Sequence, residues 1–152
     1  MKTLKVGIVG LGKIGRAQLA AIRAVGGAEV AAIAVRGGPG AAERGRALCD
    51  LYGIPKFYAD WRDMLADPGI DVVHDCAPNL EHFGINRDAI LAGKAILSEK
   101  PLTVDPAESE ELDRLAKSRN VPTAVNLVYR HYGALQKLRY IVASGGLGAI
   151  YA

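Results

Sequence analysis

Residues 4–16 constrain this chain more than any other stretch. An apolar, β-rich run meets Gly10, Gly12 and Gly15, spaced G-x-G-x-x-G, and an alanine-rich helical stretch follows. Strand, glycine turn and helix in that order make a cradle for a pyrophosphate. Gly10 permits the tight bend, and Gly12, lacking a Cβ, lets the backbone approach the phosphates. Gly15 lets the helix pack close to the strand. The helix start, opened by Lys13 and Ile14, offers unpaired N–H groups and a partial positive charge. An ordinary glycine-rich turn is the competing reading, and the setting between strand and helix favours the dinucleotide.

Short apolar runs alternate with helical stretches along the rest of the chain, the pattern of a parallel sheet covered on both faces. Helices are expected over 13–25, 41–52, 61–66, 80–92 (capped by Asn79) and 132–143. A further one starts at Asp105-Pro106, where an acid at the N-cap precedes proline at the first helical position. Strands after the first are expected at 30–35, 70–76, 95–97 and 123–128, five in all. The run at 30–35 is continuously apolar, as a strand buried on both faces should be. Residues 151–152 read as the start of another strand.

Composition narrows the function classes. The chain has 152 residues, half of them hydrophobic and 23% charged, which suits one soluble α/β domain. A net charge of +3 is too small to argue for nucleic acid and mildly favours an anionic ligand. The two cysteines, Cys49 and Cys76, form neither a disulfide framework nor a metal spacing, so a reducing, cytoplasmic setting is expected. No apolar run approaches the roughly 18 residues of a membrane span, and no metal site is indicated.

A second site is expected where the fourth strand runs into Glu99-Lys100-Pro101. Proline biases Lys100 toward an extended backbone at a strand's carboxyl end, where open α/β sheets bind ligands. A lysine there can hydrogen-bond a substrate hydroxyl or carbonyl. Composition alone favours a surface ion pair between Glu99 and Lys100. His74 and Asp75 are neighbours on a strand, so they point to opposite faces and form no dyad. Each reads as a satisfied buried or edge polar group. His131 follows the fifth strand and could face the cleft.

Four stretches carry a resemblance: Gly10 to Gly15; Pro78-Asn79-Leu80-Glu81-His82; 89–94 running into Glu99-Lys100-Pro101; and Asn126 with Arg130. With them the chain resembles the N-terminal half of the glucose–fructose oxidoreductase, inositol dehydrogenase and rhizopine-catabolism (GFO/IDH/MocA) oxidoreductases. The resemblance implies a Rossmann-type doubly wound domain and hydride transfer between a nicotinamide cofactor and a hydroxyl-bearing carbon of a sugar, polyol or related molecule. Lys100 then matches the lysine that polarises or deprotonates the reacting hydroxyl. Pro78 and Asn79 match the turn beside the cofactor, and Glu99 its supporting acid. Asn79 could equally be a plain N-cap, or serve both roles. For His82, a cofactor-side role and a structural one stand level.

The second strand departs from the usual pattern. Val35 stands where an acid normally accepts the ribose hydroxyls, and Arg36 follows it. Losing the acid removes repulsion toward a 2′-phosphate and Arg36 could pair with one, helped by Arg44 or Arg46. NADP is therefore expected over NAD, unless Arg36 stacks on adenine or faces solvent. A second, substrate-binding domain is expected beyond about 145–152, supplying an aspartate and a histidine of the catalytic set. This stretch alone would bind cofactor with little turnover, and its exposed apolar surface would drive homo-oligomer formation. A stand-alone dinucleotide-sensing module is the alternative. An S-adenosylmethionine-dependent methyltransferase shares the glycine turn but not Glu-Lys-Pro.

Overall fold

The computed structural model describes residues 2–35 and 37–149. Among them, six strands form one parallel sheet in the order β3-β2-β1-β4-β5-β6. The strands are β1 (Leu4–Val9), β2 (Ala28–Ala34), β3 (Lys56–Tyr58), β4 (Val72–Asp75), β5 (Ala95–Ser98) and β6 (Thr123–Val125). The chain winds outward from β1 in one direction, then returns to its other side with β4. The crevice between β1 and β4 is thus the topological switch point of a doubly wound sheet.

Alternation along the strands splits the core in two. Val6, Ile8, Val30 and Ile33 pack against α1 (Lys13–Ala24) and α2 (Ala41–Tyr52) on one face. Val9, Ala32, Ala34, Val73 and Ile96 meet α3 (Trp61–Ala66), α4 (His82–Leu91) and α5 (Pro106–Arg119) on the other. Burying both faces explains why the strands read as unbroken apolar runs.

Local chemistry sets most boundaries. Asp105 caps α5, its carboxylate accepting the Ala107 N–H at 2.9 Å with Pro106 in the first turn. Asp60 caps α3 in the same way through Arg62 N–H. Gly53, at φ 58°, ends α2 in the left-handed region that glycine tolerates best.

Three expectations need correction. The sheet has a sixth strand, β3, whose three residues carry no readable period. The helix expected over 80–92 begins instead with a 3-10 turn, Asn79–Glu81, and Asn79 makes no capping bond with its side chain. Pro78 holds the cap position and its carbonyl accepts the Glu81 N–H at 2.8 Å, tightening that first turn. The strand expected over 123–128 stops at Val125; a second 3-10 turn, Val128–His131, leads into α6 (Gly133–Ala143). The strand expected at 151–152 lies outside the described residues. No helix among the described residues is long and apolar enough to cross a membrane.

Candidate dinucleotide site

The glycine turn lies at the switch point. Gly10 has φ +85°, and a Cβ there would stand 2.7 Å from the carbonyl oxygen of Cys76, the residue that follows β4. A Cβ on Gly15 would fall 2.0 Å from the Gly10 carbonyl oxygen, so the helix sits against the turn at a distance only glycine allows. Gly12 is different: nothing lies within 4 Å of where its Cβ would be. It is the N-cap of α1, makes no side-chain cap, and the first turn holds no acid. The helix N-terminus therefore presents its N–H groups to open space. Lys13 and Ile14 are exposed on that first turn.

Two cavities flank this helix start. One, of about 260 Å³, is lined by Gly10, Val35, Gly37, Trp61, Arg62 and Pro78, among others. The other, of about 710 Å³, is mostly apolar and is lined by Ile14, Gln18, Lys100, Asn126, Tyr129 and Arg130, among others. Asn79 is exposed beside the first. Arg36 lies outside the described residues. Arg44 donates to the Pro39 carbonyl and Arg46 is exposed; neither lines the first cavity. His131 is exposed and is not part of the second cavity's wall.

Lys100 stands beyond the carboxyl end of β5, on the rim of the larger cavity. Its neighbour Glu99 is buried, and the expected Glu99–Lys100 ion pair is not what that carboxylate makes. Glu99 Oε1 instead accepts from Gln18 Nε2 at 3.0 Å and Asn126 Nδ2 at 2.6 Å. One carboxylate thus ties α1 to the segment after β6 and leaves the Lys100 ammonium unpaired with it. The Lys100-Pro101 peptide is cis.

His82 is fully buried, and both of its ring nitrogens meet backbone carbonyls. Nδ1 lies 2.6 Å from the Pro101 carbonyl oxygen and Nε2 lies 2.9 Å from that of Ala77. The ring bridges the loop after β4 to the loop carrying Lys100, and so positions both cavities' walls without facing either.

His74 and Asp75 do diverge to opposite faces, but neither is a satisfied polar group. His74 Nδ1 has no hydrogen-bond partner among the described residues, and burial holds its pKa below the ordinary value. Asp75 Oδ1 accepts the Ala77 N–H at 3.1 Å while Oδ2 is unpartnered. Burial pushes the Asp75 carboxyl up to about 6 against the pull of His82. Burial likewise raises the Cys76 thiol to about 12, which leaves it inert as a nucleophile. No cluster of three or more His, Cys, Asp or Glu suited to a metal occurs among the described residues.

Sequence reasoning missed Gln18 and the place of Asp60-Trp61-Arg62, the start of α3, in the wall of the first cavity. Gln18 had a signal, since it lies four residues after Ile14 and shares its helix face. The start of α3 had none: its helix was expected, but β3, the strand that sets it beside the site, was not recognised.

A doubly wound sheet, with a bare helix N-terminus at its switch point between two cavities, defines a dinucleotide-binding domain of the NAD(P) kind. The family described as "Oxidoreductase family, NAD-binding Rossmann fold" matches residues 4–127, and the chain belongs to it, the GFO/IDH/MocA oxidoreductases. The chain is 31% identical to levoglucosan dehydrogenase of Pseudarthrobacter phenanthrenivorans over 99% of its own length and 40% of that protein's. It is 30% identical to the D-xylose 1-dehydrogenase (NADP(+)) of Hypocrea jecorina over 63% of this chain and 25% of that protein. It superposes on scyllo-inositol dehydrogenase of Lactobacillus casei, solved with NAD(H) and scyllo-inositol, with a TM-score of 0.87 at 26% identity. That match covers 98% of this chain and 43% of the other. The chain therefore spans a quarter to about two fifths of the length of these relatives.

Proposed function

We propose that this chain is the cofactor-binding domain of an oxidoreductase that moves hydride to or from a hydroxyl-bearing carbon of a sugar, polyol or related small molecule, with NADP as preferred cofactor. The observation that carries the reading is the uncapped start of α1, standing between a small cavity beside Val35 and a larger one beside Lys100. Gly10, Gly12 and Gly15 leave room for a diphosphate over the helix N–H groups. Pro78 and Asn79 border the adenosine side; Ile14, Glu99 and Asn126 frame the nicotinamide side. The nicotinamide, when bound, supplies the hydride chemistry. Lys100 Nζ donates a hydrogen bond to the reacting oxygen, or as the free amine takes its proton. Glu99, held by Gln18 and Asn126, fixes the segment from which that lysine extends. Val35 in place of an acid, with Arg36 next to it, supports NADP over NAD. The substrate wall belongs to a second domain beyond about 145–152, so the isolated chain binds cofactor with little turnover.

Thermal unfolding with added ligand tests this. NADP at about 100 times its dissociation constant is expected to add about 2.7 kcal/mol, NAD less at equal concentration, and S-adenosylmethionine nothing. A response to S-adenosylmethionine alone would overturn the reading. Tighter binding of NAD than NADP would overturn the cofactor preference only.

Association follows from the same reading. Leu127, Val128, Tyr129, Tyr132, Leu138 and Tyr140 are all exposed in the segment that runs from just before the second 3-10 turn into α6. Exposed apolar side chains gathered in one segment favour self-association. Light scattering is expected to show dimers or larger species, and a monomer across the accessible concentration range would contradict it.

A further inference from the structure

The small cavity has a wall that the glycine turn and β2 do not supply. The first turn of α3 places Trp61 and Arg62 on it, in a lining that also includes Val35 and Gly37. Trp61 is half-buried and packs against the core under α3 and α4, so its ring is a fixed platform. The Arg62 guanidinium lies over that ring, 3.9 Å from its centroid. Stacking sets the plane of the guanidinium and leaves its N–H edge to face a ligand.

The carboxylates nearest Arg62 hold it loosely. Asp60 Oδ1 is 3.5 Å from Arg62 Nη1, yet that oxygen already accepts the Arg62 backbone N–H at 2.8 Å as the helix cap. Asp88 Oδ2 is 3.7 Å from Arg62 Nε, while the same carboxylate takes two closer bonds from Arg87, at 3.0 and 2.9 Å. Each acid has a better-placed donor elsewhere, and the Arg62 side chain is 61% exposed. A dianionic phosphate offered at this cavity would replace two long contacts with short, charge-assisted ones.

We infer that Arg62 is a specificity-determining residue: held on Trp61, it binds the 2′-phosphate of an adenosine whose base and ribose occupy this cavity. The inference rests on the proposed function, since it takes the cavity to be the adenosine end of the dinucleotide site. It assigns the discrimination to the first turn of α3 as well as to the residues following β2. Selectivity then depends on two separate segments of the chain.

Isothermal titration of the 152-residue chain tests it with four probes: NADP, NAD, adenosine 2′,5′-bisphosphate and 5′-AMP. In Arg62→Gln the two 2′-phosphorylated probes are expected to weaken at least about tenfold, while NAD and 5′-AMP change less than about twofold. Arg62→Lys should fall between, keeping the charge but losing the stacked fork. Circular dichroism would check that each variant folds. Equal weakening of all four probes, or no weakening of any, overturns the inference while leaving the dinucleotide reading intact. If the wild-type chain binds none of the four, the dinucleotide reading itself falls and takes this inference with it.

Discussion

Gly15→Ala is expected to lose about 2–3 kcal/mol of folding stability and all measurable response to dinucleotide. The added methyl would meet the Gly10 carbonyl oxygen at 2.0 Å, and that oxygen is backbone, so no side chain can swing aside to relieve it. Either α1 moves off the sheet or the turn opens, and both deform the cradle. Alanine's better helix propensity returns only about 1 kcal/mol. Gly12→Ala separates folding from binding. Its methyl meets nothing within 4 Å, so stability should stay within about 1 kcal/mol of wild type. The same methyl would stand over the helix N–H groups and weaken NADP at least about tenfold. Urea unfolding and ligand titration on both variants check the pair. A Gly15→Ala chain as stable and as ligand-responsive as wild type would sink the packing argument.

Asp75→Asn is expected to be more stable than wild type by about 2–3 kcal/mol near pH 8, the gap closing below about pH 4. The Asp75 side chain is fully buried, and burial raises its pKa from 3.8 to about 6. A folded-state pKa above the unfolded one means the native state holds the proton more tightly. That contribution is complete below the unfolded value of 3.8 and is lost as pH rises through about 6. Asparagine keeps an oxygen for the Ala77 N–H and carries no charge. Asp67 and Asp71 run the other way. Hydrogen bonds from Lys56 and Lys2, respectively, are the chief cause of their low pKa values, so they stabilise above the ordinary carboxylate range and cease to as pH falls through their folded values. The wild-type profile mixes both signs; the difference between variant and wild type isolates Asp75. Urea midpoints across about pH 4–8 provide it. Equal stability near pH 8 would mean the carboxylate is better compensated than its unpartnered Oδ2 implies.

How much of this was legible in the sequence follows from the range of each signal. The glycine turn, α2 with its Gly53 stop and the Asp105-Pro106 start of α5 are written within a few residues of themselves, and they lie where local chemistry puts them. β3 escaped because three residues on the sheet edge show no period. Asn79 looked like a cap because it follows a strand and precedes an apolar helix; Pro78 took that place once the first turn tightened. The neighbours of Glu99 were invisible for a different reason. Gln18 and Asn126 stand 81 and 27 residues away, and only the winding of the sheet brings them to one oxygen. Asp75 shows the limit from the other side. Its departure from an apolar strand could be read, but the missing partner for Oδ2 is a property of the packed interior.

The short loop that carries Lys100 is moored on two flanks. Gln18 and Asn126 grip the residue before the lysine, and the His82 ring grips the carbonyl of the proline after it. Whatever wandering that loop would have made in solution is surrendered when the chain folds, not when a substrate arrives. In the proposed role of Lys100, encounter then has only the lysine's own flexible stem left to quieten, a cost of about 0.5–1.5 kcal/mol for one long side chain. On that proposal Gln18, Asn126 and His82 together set how sharply the amine can be aimed.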